Sequence, residues 1–133
     1  MSLVHPAPAG GGAQKPFFLQ DGFFYTKTMI TYYIYILYSE KFDKFYIGYT
    51  TNVKMRLEHH NKDDKNTFTA KYRPWTLKAV YKVGNDRGEA LKLERFIKKQ
   101  KSRKLLLQLI QTDFQPTGKL AQLIRVPKGT IRD

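Results

Sequence analysis

The hydrophobic pattern of the chain starts abruptly at Tyr32. Tyr32–Tyr38 is apolar or aromatic at every position, Ser39–Lys44 is largely polar, and Phe45–Thr50 is again rich in Tyr and Ile around Gly48. Such residues favour strands, and a segment apolar on both faces reads as a central strand covered on both sides. The pair predicts an antiparallel hairpin with a longer connection. The glycine inside its second strand marks a bulge or a close backbone approach. Asn52 is a candidate helix cap, and Asn52–Asn61 predicts a helix with Val53 and Leu57 as its inward stripe. Residues 62–74 are polar and basic and predict a loop or short helix ending at Pro74. Trp75–Val83 alternates and predicts a third strand, Gly84–Gly88 a turn, and Glu89–Lys99 a second helix. Leu105–Ile110 predicts a third helix, and from Thr112 the periodicity fades into a tail with at most short elements. The element order is β-β-α-β-α-α, an α+β chain, with Ile34, Ile36, Ile47, Val53 and Leu57 as expected core.

Residues 1–28 carry no such period. They are rich in Pro, Gly and Ala with a run at Gly10–Gly12, and they lack the basic start and apolar core of a secretory signal. They read as a disordered extension or a non-native start preceding Met29. The 133-residue length suits one domain. There is no apolar run of the length that spans a bilayer, so no membrane segment is expected. The chain has no cysteine, which excludes disulfides and thiolate metal sites and is compatible with a reducing cytoplasm.

Charge changes the picture more. Lys and Arg number 24 against 11 Asp and Glu, a net +13. A small domain so basic attracts polyanions. Nucleic acid leads as partner class, with an anionic membrane surface as runner-up. Lys71, Arg73, Lys98, Lys99, Lys101, Arg103 and Lys104 are the candidate contacts.

One acidic residue breaks the pattern of the second helix. Ala90, Leu93, Phe96 and Ile97 form its apolar stripe, and Glu94 lies inside or beside that stripe while Lys92, Arg95 and Lys99 take the opposite face. A carboxylate facing a core is costly unless paired or bound to a cation. It is salt-bridged to Arg56 or a nearby lysine, or lifted clear of the core by a local twist, or it is a ligand for a hard cation such as Mg2+ or Mn2+. In the first helix Arg56 and His60 are one turn apart on the same side, flanking the stripe that packs on the hairpin. If the fold gathers Tyr35, Tyr46, Arg56, His60 and Glu94 on one surface, the set suits phosphodiester hydrolysis. A single carboxylate can hold a metal that keeps most of its waters, and an arginine neutralises the phosphoryl group. A tyrosine beside a cation can accept a proton from water, and the histidine can position that water or assist the base.

These residues, in this order, resemble the GIY-YIG nuclease superfamily, which includes the N-terminal domain of the excision-repair nuclease, homing endonucleases and small stand-alone bacterial proteins. The first motif stands as Tyr33-Ile34-Tyr35, with Tyr33 in the usual glycine position, and the second as Tyr46-Ile47-Gly48. Arg56, His60 and Glu94 follow in family order. Gly48–Asn52 and Arg73–Trp75 look most like the stand-alone group. The resemblance covers about residues 31–111, within a nuclease-like domain at 29–111 and before a tail at 112–133. It implies an antiparallel three-stranded sheet flanked by helices. It further implies one divalent ion on Glu94, Tyr35 or Tyr46 as general base, Arg56 on the scissile phosphate and His60 assisting. The implied activity is a metal-dependent endonuclease on DNA, structure-selective, in repair or recombination, with RNA as the alternative substrate. Tyr49 stands where the repair nuclease has a lysine, and no asparagine follows Glu94 closely. The competing expectation is a nucleic-acid-binding module with a vestigial catalytic set.

Overall fold

A computed structural model describes residues 30–62 and 67–127 of the chain. The extension expected over 1–28, and Asp63 and Asp64 of the polar loop, lie outside these described residues. Strand β1 is Tyr32–Ser39 and strand β2 is Lys44–Thr50. Helix α1 (Val53–Lys62) and the one-turn helix α2 (Phe68–Lys71) lead into strand β3, Thr76–Gly84. Helices α3 (Arg87–Gln100) and α4 (Arg103–Leu109) follow, then a turn of 3-10 helix and a short strand β4, Ile124–Arg125.

The four strands form one antiparallel sheet in the order β2-β1-β3-β4. β1 is central, as its two apolar faces require. Each face has its own core. On one lie Ile34, Ile36 and Ile47, covered by Ala90, Leu93 and Ile97 of α3 and by Leu109. On the other lie Tyr35 and Leu37, covered by Val53 of α1 and by Trp75. Of the expected core only Leu57 is less than fully buried, packing at the margin of this second cluster. Each fully buried aliphatic side chain contributes about 1.5–3 kcal/mol.

Local chemistry sets the helix ends. Asn52 caps α1: its Oδ1 accepts from Met55 N at 3.0 Å and its carbonyl from Arg56 N at 3.1 Å. The far end of α1 is tied to the segment that follows it. Asn61 Oδ1 accepts from Trp75 N at 2.7 Å, and Asn61 Nδ2 donates to Trp75 O at 3.1 Å. Arg73 Nε donates to His60 O at 2.7 Å, and Trp75 Nε1 donates to Thr69 O at 2.8 Å. These bonds hold the last turn of α1, and with it His60. Asp86 caps α3 through Gly88 N at 2.8 Å, and Ser102 caps α4 through Leu105 N at 3.0 Å.

The fourth strand, beyond the three expected, comes from the segment read as a tail. Leu120 and Leu123 are buried in the first core, and Val126 N donates to Val80 O at 2.9 Å. The Arg125 guanidinium donates to Leu109 O (3.2 Å), Gln111 O (2.7 Å), Ile110 O (3.4 Å) and Lys78 O (3.3 Å). It therefore satisfies the carbonyls at the end of α4 and ties them to β3. Two buried leucines and one fork of hydrogen bonds leave little periodic signal in a sequence.

Candidate active site

The site grows from the hairpin register. Tyr35 is paired with Gly48 across β1 and β2, and Leu37 with Tyr46. Paired residues point to the same face of an antiparallel sheet, so Tyr35 and Tyr46 share the face covered by α1. The Tyr35 ring lies across the neighbouring strand. A Cβ placed on Gly48 would be 2.5 Å from Tyr35 Oη and 2.7 Å from its Cζ. Gly48 has no left-handed backbone angle, unlike Gly84 and Gly118. It is glycine for space: the close approach expected at this position is that of a phenol.

Helix α1 closes over the ring. His60 is 8% exposed, and its Nε2 shares a hydrogen bond of 2.8 Å with Tyr35 Oη, the direction set by the tautomer. Tyr46 sits beside both, its ring centroid 4.7 Å from His60 and 6.2 Å from Tyr35. The Tyr35 phenol is held well above its ordinary pKa, first by burial and then by the neighbouring Tyr46. The guanidinium of Arg56 lowers that pKa and the carboxylate of Glu94 raises it, so both charges act at this phenol. Arg56 itself is half-buried.

Glu94 comes from α3, and it is buried as the helical pattern anticipates, at 3% exposure. Its Oε2 has no hydrogen-bond partner. Lys98 Nζ approaches that oxygen to 3.5 Å, an ion pair at long range without hydrogen-bond contact. Burial raises the Glu94 pKa, and Lys98 offsets part of the rise. The same ammonium lies 5.8 Å from the Tyr46 ring centroid. Lys98 thus links the α3 carboxylate to the tyrosine pair at the β2 edge of the sheet. Of the salt-bridge partners expected for Glu94, the structure provides the nearby lysine, Lys98.

Of the sequence-selected residues, Tyr35, Tyr46 and His60 are in contact, the charges of Arg56 and Glu94 act at the Tyr35 phenol, and Lys98 stands between Glu94 and the Tyr46 ring. The other basic candidates are arranged differently. Lys71 lies 5.4 Å from the Tyr72 ring, and Arg73 holds the end of α1. Arg103 donates to Asp43 Oδ1 at 2.6 Å and lies over Phe45, which gives it a scaffold role. Lys99, Lys101 and Lys104 are exposed around the α3–α4 junction. Sequence reasoning missed Phe42, Phe68 and Tyr72, which form an aromatic surface next to Tyr46. The four-residue spacing of Phe68 and Tyr72 was the available signal, too short to register as a helix face.

Chemically, two phenols and an imidazole lie on the face covered by α1 with Arg56 on that helix, and α3 on the other face brings a carboxylate with an unsatisfied oxygen, linked to Tyr46 through Lys98. Among the described residues there is no group of three or more His, Cys, Asp or Glu able to enclose a metal. A comparison with curated proteins finds no match. The model of the GIY-YIG catalytic domain matches residues 31–106, from β1 to the middle of α4, and so takes in both tyrosine motifs, Arg56, His60 and Glu94. With the match covering more than half of the chain, this protein belongs to the GIY-YIG family of nucleases.

Proposed function

We propose that this domain is a divalent-metal-dependent endonuclease that hydrolyses DNA phosphodiester bonds, with Glu94 as its one protein ligand to the metal. The observation that carries the reading is Glu94 Oε2, buried and without a hydrogen-bond donor. A buried carboxylate oxygen left in that state is unfavourable by about 1–3 kcal/mol or more, and a cation relieves it. A lone carboxylate suits Mg2+ or Mn2+, which are held by one or two carboxylates with water and substrate phosphate completing the set. When bound, the ion supplies charge neutralisation to the phosphoryl and leaving oxygens.

The chain's own groups divide the remaining work. Tyr46 is the better general base of the two tyrosines. It is half-buried, whereas Tyr35 is 1% exposed and its phenol is held protonated. The Tyr35 phenol beside Tyr46 would stabilise Tyr46 as its phenolate, the form that takes the proton from the attacking water. His60, with Nε2 protonated, donates to Tyr35 Oη and leaves the phenol proton for Tyr46. Arg56 neutralises the scissile phosphate. Lys98 holds a positive charge between the carboxylate and the base, where the substrate backbone arrives.

The closeness of Lys98 to Glu94 also favours a second reading, in which the ammonium stands permanently in place of a metal and the domain only binds nucleic acid. A cleavage panel decides between them. Nicked, branched and plasmid DNA are incubated with Mg2+ or Mn2+ and wild type, Glu94→Gln or Tyr46→Phe. Metal-dependent cutting lost in both variants supports the nuclease. Salt-dependent binding with no cutting of any substrate supports the binding module.

A further inference from the structure

We infer that the aromatic strip leading away from Tyr46 is a stacking platform for unpaired nucleotides, so that the preferred substrate carries a single-stranded arm beside the scissile bond. The inference rests on the nuclease reading for the position of that bond, though not for the platform itself. Tyr46 stacks with Phe68 at 6.4 Å and an interplanar angle of 29°. Phe68 meets Tyr72 at 4.9 Å, and Tyr72 meets Phe42 edge-on at 5.2 Å. The rings are contiguous from Tyr46 outward: Tyr46 and Tyr72 pack half-buried against the second core, and Phe68 and Phe42 stand exposed beyond them. Phe68 is 49% exposed and Phe42 39% exposed.

Exposed phenylalanines in series are unusual on a soluble surface, and a large exposed apolar patch marks an interaction site. Their partner is identified by what surrounds them. Lys44 and Lys71 lie 5.2 and 5.4 Å from the Tyr72 ring, and Lys41 lies 5.5 Å from the Phe42 ring. At the inner end Lys98 lies over Tyr46. Among the described residues no salt bridge holds Lys41, Lys44 or Lys71; Lys98 faces Glu94, and Lys44 stands near Asp43, whose carboxylate is bonded to Arg103. Aromatic faces interleaved with ammonium groups fit bases and phosphates at once, the mode by which single strands are bound without sequence preference. Paired bases expose no faces to stack on, so a duplex gains only the charge contacts. An acidic protein surface would match the lysines but would leave the ring faces of Phe68 and Phe42 without a planar partner.

The platform is tested by fluorescence anisotropy in EDTA, where no cutting occurs. The probes are a blunt DNA duplex and the same duplex with a single-stranded arm at one end. Wild type is expected to bind the armed duplex about tenfold or more tightly than the blunt one, as two or more stacked bases would give. Phe42→Ala and Phe68→Ala are each expected to lose about fivefold on the armed duplex and little on the blunt one. Phe68→Trp is expected to retain the preference. Phe68→Leu, which keeps apolar bulk and loses the ring, is expected to lose it, with a thermal melt confirming the fold. Equal binding of the two DNAs, or alanine and leucine variants that keep the preference, would overturn the inference. Parallel cleavage with Mg2+ separates it from the nuclease reading. Arm-dependent binding without any cutting sustains the platform and removes the nuclease. Equal cutting of blunt and armed DNA sustains the nuclease and removes the platform.

Discussion

Gly48→Ala is the most informative single change in the hairpin, because it adds only a methyl group. The new Cβ would stand 2.5 Å from Tyr35 Oη, 2.7 Å from Cζ and 3.0 Å from Cε1, closer than Cβ atoms ordinarily approach other heavy atoms in folded proteins. The ring has nowhere to go without loss. It is 1% exposed and shares a hydrogen bond with His60. Overpacking of this kind costs about 1–3 kcal/mol, and breaking the Tyr35–His60 bond adds about 1 kcal/mol. Against this, replacing a strand glycine restores about 0.5–1 kcal/mol of backbone entropy. The net expectation is a loss of about 2 kcal/mol, or roughly 10 °C in Tm for a domain of this size. Urea titration followed by the fluorescence of Trp75, the only tryptophan and a buried one, measures it. The same substitution in a Tyr35→Leu background, where the phenol is absent, is expected to be neutral or slightly stabilising. An equal loss in both backgrounds, or no loss in wild type, would show that Gly48 is not there to seat Tyr35.

Glu94→Gln is expected to abolish metal-dependent cutting while leaving Tm unchanged or higher, since the desolvation of the buried carboxylate that it removes outweighs the ion pair with Lys98; a drop of several degrees would refute that account. Its advantage has a pH sign. Burial raises the Glu94 pKa, so the ionised form opposes folding, and the wild type loses stability relative to Glu94→Gln as pH rises through the folded pKa without metal. Asp43 has the opposite sign. Hydrogen bonds from Tyr38 and Arg103 hold its pKa below the ordinary carboxylate value, so its contribution is present above the unfolded value and lost as pH falls through the folded one. Asp43→Asn is expected to remove this acid sensitivity from hydrogen exchange in the Glu40–Lys44 turn, and unchanged acid lability would contradict it. Arg125→Ala is expected to destabilise by about 1–3 kcal/mol by removing the donor to the half-buried Ile110 and Lys78 carbonyls, Leu109 O keeping its bond from Tyr81 Oη, with Arg125→Lys intermediate; thermal melts decide, and a loss under about 0.5 kcal/mol would refute the capping role.

The parts of this molecule legible in its sequence are those written at short range. Asn52 announces α1 by residue type and position, and the doubly apolar Tyr32–Tyr38 announces a central strand. Glu94 announces itself as a charge within a helical apolar stripe, and it is buried. What stayed hidden depends on partners far apart in the chain. The Tyr35–His60 hydrogen bond joins residues 25 positions apart. No periodicity encodes the pairing of Arg125 with the end of α4, and β4 has only two residues. Phe42, Phe68 and Tyr72 come from a turn and a one-turn helix, so only the folded chain shows them as a continuous surface. The ion pairing of Lys98 with Glu94, by contrast, is written at helical i,i+4 spacing, and only its approach to the Tyr46 ring depends on the fold.

The Arg125 fork has a practical meaning for anyone shortening this protein. The family match ends at residue 106, and the helical pattern fades soon after. A chain cut at Gln111 would look like a complete domain by either criterion. It would also strip Leu120 and Leu123 from the first core and free the β3 edge that now pairs with β4. An unpaired edge beside newly bared leucines is a template for intermolecular strand pairing. Such a fragment is expected to precipitate rather than to report on catalysis. The unit that can be expressed and assayed therefore extends through at least Val126, some 20 residues past the recognisable signature.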